Sequence, residues 1–243
     1  MRIPRIYLEQ ALAENTNCRL SEDAAHHVSK VLRMEVDQFL HLFDGRGGYF
    51  DATVTRINKR SVEVVTGNHH PDECESPLII TLVQGVSRGE RMDYTLQKAV
   101  ELGVQHIVPV LCQFTNVKLD AGKKHKRHEH WWKIIINACE QCGRNRLPSL
   151  ALTQELDEWL EIDANRLKLI LHPGTSMQLS RLKSTQVRIT LLAGPEGGFS
   201  DTEVALAEKH GYQTITLGPR ILRTETAALA AITACQVMWG DLH

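Results

Sequence analysis

The sequence predicts an α/β protein: a small, β-rich, barrel-like domain followed by a larger domain on a largely parallel sheet. Three observations lead there. "DQFLHLFDGRGGYFDATVTRINKRSVEVVTG" (37–67) alternates apolar and polar residues between turn dipeptides, as successive hairpins do. From residue 78 onward, short apolar runs instead alternate with helical patterns, the rhythm of buried parallel strands joined by helices. Between the two regimes lies "GNHHPDECESP" (67–77), polar and carrying two prolines, which reads as a linker and sets the boundary near residues 68–77.

Taken in order, Ser21 is a candidate N-cap for a helix through "EDAAHHVSKVLRM". Asp44-Gly45 and Asn58-Lys59 then punctuate the hairpins. In the second region "LIITLVQGV", "HIVPVL", "LKLILH", "RITLLAG" and "YQTITLG" read as strands, and "RMDYTLQKAVELG" as an amphipathic helix. "SDTE" at 200–203 has capping-box spacing, with Ser200 as N-cap and Glu203 reaching back, and Gly211 suits the end of that helix. The last helix, "TAALAAITACQVMW", is apolar on nearly every side. It is either buried within one chain or shared with a second subunit.

Composition narrows the function classes. With 243 residues, 42% hydrophobic and 23% charged, the chain can bury a sizeable core and is not of disordered type. A formal net charge of -1 means that any nucleic-acid binding rests on a local patch. No run is long enough to span a bilayer and "MRIPRIYLEQ" lacks the apolar core of a signal peptide, so a cytoplasmic protein without membrane partners is expected. The 6 cysteines do not form a disulfide framework. Cys139-Glu140-Gln141-Cys142 lacks the second pair or the histidines that a zinc site needs, so no metal is assigned.

In open α/β sheets ligands bind beyond the carboxyl ends of the strands. Three such ends carry glycine here: Leu171-His172-Pro173-Gly174, Gly194-Pro195-Glu196-Gly197-Gly198 and Leu217-Gly218-Pro219-Arg220. The loops lack both the G-x-G-x-x-G order of dinucleotide sites and the Gly-Lys-Ser/Thr ending of a P-loop, which disfavours a dehydrogenase or an NTPase. The third loop runs on into Arg220, Arg223 and Glu225. That cluster reads equally as a solvated helix start or as two guanidinium groups for phosphate or carbonyl oxygens beside a carboxylate for acid–base work.

The most basic stretch is "KLDAGKKHKRHEHWWK" (118–133), with Lys123, Lys124, Lys126 and Arg127 ahead of Trp131 and Trp132. Arg144 and Arg146 follow, and Arg2 and Arg5 lie at the N-terminus. Cations beside aromatic rings suit phosphates and stacked bases, although a surface helix with core tryptophans fits the same pattern.

"MRIPRIY", "SRGERMDYTLQKAVELGV", "ACEQCGRNR", "LLAGPEGGFSDTE" and "LGPRILRTETAALAAI" together resemble the bacterial ribosomal RNA small-subunit methyltransferase E family, of the SPOUT superfamily. The resemblance implies S-adenosylmethionine-dependent N3-methylation of a uridine in the decoding region of 16S rRNA, carried out on the assembled 30S subunit. It implies a PUA-like RNA-binding barrel over 1–70, a linker over 71–77 and a methyltransferase domain over 78–243 with a deep trefoil knot, acting as a homodimer. It carries the cofactor to Leu171, His172, Gly194, Glu196, Gly197, Gly198, Leu217, Gly218, Leu222 and Thr224. Arg223 and Glu225 become the catalytic candidates, Arg223 for charge on the uracil carbonyl oxygens and Glu225 for the N3 proton or for orienting Arg223. Arg2, Arg5, Lys123, Lys124, Lys126, Arg127, Arg144 and Arg220 become the RNA contacts. A rival reading keeps the fold as a non-catalytic RNA-binding or ribosome-assembly factor.

Overall fold

Side chains that alternate between core and exterior along residues 39–70 build the first sheet. Its strands are β1 (Arg5–Tyr7), β2 (Asn17–Arg19), β3 (Phe39–Phe43), β4 (Tyr49–Ile57) and β5 (Val62–His70), ordered β1-β3-β4-β5-β2. β1 runs parallel to β3, and the other pairs are antiparallel. The inward face contributes Ile6, Leu40, Leu42, Ala52, Val54, Val62 and Val64 to one apolar cluster. Each of the Val, Leu and Ile side chains contributes about 1.5–3 kcal/mol when fully buried.

The helix expected through residue 34 is shorter in the structure. α1 spans Glu22–His26, with the Ser21 hydroxyl accepting from the Ala24 N–H at 3.3 Å, and gives way to a π-helical turn over His27–Val31. The Ser29 hydroxyl donates to the Ala25 carbonyl at 2.7 Å, the back-bonding by which Ser bends helices. The Leu32 N–H then reaches five residues back to the His27 carbonyl.

The computed structural model describes residues 3–59, 61–117, 120–165, 167–175, 177–182 and 187–243, as two compact units. The first unit is Met1–Glu75 with Cys139–Leu147, and the second is Ser76–Ala138 with Pro148–His243. The first is therefore assembled from two separate stretches of chain. Glu140 accepts from the Tyr7 N–H at 2.9 Å, Asn145 accepts from the Arg5 guanidinium, and the Asn145 amide donates to the Asp72 carbonyl at 2.6 Å. Arg144, 3% exposed, makes a two-pronged ion pair with Glu75 at 2.9 and 2.5 Å.

In the second unit every strand pair is parallel. β6 (Ile79–Gly85), β7 (His106–Leu111), β8 (Ser149–Leu150), β10 (Leu167–Leu171), β11 (Arg188–Ala193) and β12 (Gln213–Ile215) lie in the order β12-β10-β11-β6-β7-β8, and β9 (Gln154–Glu155) pairs with β7. On one face Val83, Val108, Val110, Ile170 and Leu192 meet Leu156 and Leu160 of α4 (Leu156–Ile162) and Ala207 of α5 (Asp201–Lys209). α6 (Thr224–Trp239) packs on β6 and β11 and against α2 (Glu90–Glu101). The capping box at Ser200 and Glu203 forms as its spacing predicts. α3 (Ala121–Cys142) carries Trp131 buried at 2% exposure, so that ring is core. No helix among the described residues is long and apolar enough to cross a membrane.

A buried polar chain fastens the sheet to α4. The Tyr212 hydroxyl donates to Asp163 at 2.7 Å and accepts from the Trp159 indole at 3.0 Å, while Asp163 also accepts from Thr190 at 3.2 Å. Burial, reinforced by Asp163, holds the Tyr212 phenol well above the ordinary range, so it remains a donor. Tyr212→Phe strands a buried carboxylate oxygen and an indole N–H. The expected loss is about 1–3 kcal/mol of unfolding free energy, read from the urea midpoint at constant slope.

Candidate functional site

Strand order decides where the site forms. β10 lies between β11 and β12 and all three run in one direction, so the chain leaves them at Leu171, Ala193 and Ile215 on the same edge. The loops that follow enclose a cavity of about 1070 Å³. All the residues assigned above to the cofactor line it: Leu171 and His172 from the first loop, Gly194, Glu196, Gly197 and Gly198 from the second, and Leu217, Gly218, Leu222 and Thr224 from the third. Arg220 and Arg223 line it too, both exposed, with Arg223 at the N-cap of α6. Glu225 does not line it. Its carboxylate sits in the first turn of α6, with Oε2 buried and no hydrogen-bond partner among the described residues.

Two residues outside the sequence-based set organise the loops. Gln84, fully buried at the end of β6, directs its amide nitrogen to the carbonyls of Gly85 (3.1 Å) and Gly194 (3.3 Å) and to the Thr224 hydroxyl (3.0 Å). Thr224 in turn donates to the Gly194 carbonyl. One carboxamide thus joins β6, the second loop and the start of α6. The trace of it in the sequence is a lone polar residue inside the apolar run "LIITLVQG". Next to it, a Cβ on Gly85 would lie 2.5 Å from the Pro195 backbone nitrogen, so only glycine permits this approach.

Arg91, on the first turn of α2, is the second such residue. Its guanidinium lies 3.3 Å from Glu196 Oε1, which also accepts from the Arg88 N–H at 2.9 Å. Glu196 Oε2 is buried with no hydrogen-bond partner among the described residues, leaving a negative oxygen at the cavity. Leu171, Ile215, Leu217, Ile221, Leu222 and Ala227 supply an apolar lining. Glycine loops with accessible backbone groups, an apolar lining and a carboxylate with spare capacity suit a flat heterocycle attached to a cationic centre.

The expected RNA contacts divide. Lys123 and Lys126 are exposed on α3, although Lys123 pairs with Asp120 at 3.1 Å. Lys124 stands 3.8 Å from Glu155, and the Arg127 guanidinium lies 5.9 Å over the Trp131 ring. Arg144 corrects the expectation, because its ion pair with Glu75 takes it off the exposed surface. Arg5 is engaged as well, bonded to Asn145 and lying 5.4 and 5.2 Å from the Phe43 and Tyr49 rings. Arg2 falls outside the described residues.

Comparison with known proteins agrees with this architecture. The RNA methyltransferase domain model matches residues 74–236 and the RNA methyltransferase PUA domain model matches 20–66. Ribosomal RNA small subunit methyltransferase E of Buchnera aphidicola subsp. Schizaphis graminum is 37% identical over 99% of this chain and 98% of its own length. A Legionella pneumophila methyltransferase solved with bound SAM superposes with a TM-score of 0.96 at 42% identity, covering 100% of both chains. The Neisseria gonorrhoeae ribosomal RNA small subunit methyltransferase E bound to S-adenosyl methionine gives 0.96 at 40%, again over 100% of both.

The contact at Gly85 makes a direct prediction. Gly85→Ala must displace Pro195, costing about 1–3 kcal/mol for an overpacked site. Hydrogen exchange followed by mass spectrometry should show faster exchange across 194–198 than in the wild-type protein.

Proposed function

The chain belongs to the ribosomal RNA small subunit methyltransferase E family, and we propose that it methylates N3 of a uridine in the decoding region of 16S rRNA, using S-adenosylmethionine and acting on the assembled 30S subunit. The observation that carries this reading is the cavity made by three loops at adjacent strand ends, in a family whose solved relatives bind that cofactor. The exposed cations of α3 and the PUA-type first unit favour RNA as the partner. Such an enzyme works where ribosomal subunits are made, in the cytoplasm.

S-adenosylmethionine supplies an electrophilic methyl group on a cationic sulfur. Backbone groups of the loops at 171–174, 194–198 and 217–224 would hold its adenosine. Glu196 Oε2 would set a negative charge against the cation. Uridine N3 carries a proton and becomes nucleophilic only when that proton leaves. Glu225 lies outside the cavity lining, so we assign to it the acceptance of that proton through a water, and assign to Arg223 the charge that develops on the flanking carbonyl oxygens. Positioning supplies the rest of the acceleration.

Two further features belong to the same reading. The chain from β11 to α6 is inferred to form a deep trefoil knot. β12 lies outside β10, while α6 returns to pack on β6 and β11, so the third loop crosses the edge where the second one emerges. A homodimer is inferred from α6 and its approaches, where Ile221 is 88%, Val237 53% and Leu242 42% exposed on an otherwise apolar segment.

Mass spectrometry of 16S rRNA from cells with and without this protein tests the activity. Loss of 3-methyluridine is expected, and an unchanged level would refute the proposal. Arg223→Ala should slow single-turnover methylation by about 10²–10³, as for loss of one oxyanion-type donor. Full retention of the rate would remove Arg223 from that role. Glu196→Gln should weaken S-adenosylmethionine about tenfold more than it weakens the uncharged thioether product, measured by calorimetry.

A further inference from the structure

Gln84 carries more polar capacity than the fold requires. It is fully buried on β6, in register with Ala193 of β11 and Pro109 of β7. Its amide nitrogen reaches the carbonyls of Gly85 and Gly194 and the Thr224 hydroxyl. Its own Oε1 is buried with no hydrogen-bond partner among the described residues. A buried acceptor left unpaired destabilises a fold, so its retention calls for a reason. We propose that Gln84 is a positioning residue for methyl transfer, one that fixes the first turn of α6 and so aims Arg223 into the cofactor cavity. The proposal rests on the role given above to Arg223.

Satisfaction of buried polar groups does not account for the amide, because each partner of Gln84 keeps another bond without it. The Gly85 carbonyl also accepts from the Ser87 hydroxyl at 3.3 Å. The Gly194 carbonyl also accepts from the Thr224 hydroxyl, and that one bond serves both of those groups. An apolar side chain of similar length at position 84 would strand none of the three and would remove the unpaired oxygen. What it could not do is hold Thr224 to β6.

Thr224 shows why that hold matters. Ser, Thr, Asp and Asn are the preferred N-caps of helices. Yet α6 has Arg223 at its N-cap, without a side-chain cap bond, and Thr224 one place into the helix. The hydroxyl best suited to cap α6 is engaged by Gly194 instead, and the exposed Arg223 is left to line the cavity. With the Gly194 bond alone, Thr224 is held at one point about which the first turn can swing. The bond from Gln84, at 3.0 Å, adds a second point anchored on β6. Two points fix the direction in which Arg223 leaves the helix. A displacement of about 1 Å at a group that stabilises the transition state can slow a reaction about 10²-fold.

Gln84→Leu tests the assignment. Its urea midpoint should match that of the wild-type protein, as no partner is stranded. S-adenosylmethionine should bind within about threefold of wild type by calorimetry, because the Thr224–Gly194 bond and the approach of Pro195 to Gly85 both remain. Single-turnover methylation of unmethylated small subunits at saturating cofactor should slow by about 10–10². The decisive comparison places Gln84→Leu in an Arg223→Ala background. A residue that acts through Arg223 has nothing further to lose there, so the double variant should be no slower than Arg223→Ala alone. Slowing by the same factor in both backgrounds would overturn the proposal and leave Arg223 in its role. A wild-type rate in Gln84→Leu, or a loss of cofactor affinity equal to the loss of rate, would overturn it too. Full rate in Arg223→Ala would instead refute the role of Arg223 itself. Gln84→Met, unbranched like glutamine, carries the same measurements should the leucine variant fail to fold.

Discussion

The buried amide of Gln84 is the constraint on which the cofactor cavity depends. A side-chain amide removed from water must find acceptors or cost several kcal/mol. The ones it finds belong to its neighbour Gly85 and to Gly194 and Thr224, two points remote in sequence. The second loop and the first residue of α6 are thereby fixed against β6 before any ligand arrives. The bare Cα of Gly85 permits the same approach from the backbone side. Loops rich in glycine lose much conformational entropy on ordering, and this fastening is what holds them in shape.

Strand order does the remaining work. With β10 set between β11 and β12, and β6 beyond β11, loops that are separate in sequence emerge side by side. The chemistry of the site is then mostly backbone, with a few charges aimed inward. Glu196 is central among these. It ties Arg88 and Arg91 with one oxygen and keeps the other in reserve. The apolar lining and the low exposure of this carboxylate both strengthen its field across the cavity.

Much of this was legible in the chain. Apolar runs ending in glycine located the loops at 171–174, 194–198 and 217–220, because parallel strands put their ligand sites at their carboxyl ends whatever the ligand. The reach of Gln84 was not legible, since spacing along one strand says nothing about which loops fold back over it. Arg91 was hidden for a related reason: it sits on a helix whose amphipathic pattern explains its polarity without a partner. Arg144 misled because a cation within a basic neighbourhood looks available until Glu75, sixty-nine positions away, is found against it. The break in α1 escaped as well, because the hydroxyl of Ser29 competes for a carbonyl in a way that helix propensity does not register. The cysteines were read from chemistry alone. Cys139 is buried on the last turn of α3, and that burial pushes its thiol far above the range in which it would react.

The first unit draws on Glu140, Arg144 and Asn145 as well as on its own strands. This has a consequence for the order of events during synthesis. When residue 75 has been made, the β-strands can pair but the bonds of Arg5 and Asp72 to Asn145, and of Glu75 to Arg144, cannot yet form. Those partners come only after β6, α2, β7 and nearly all of α3 have been added. The N-terminal domain is thus first to be translated but cannot be first to finish. Its last side-chain partners, Arg144 and Asn145, are made some seventy residues after Glu75.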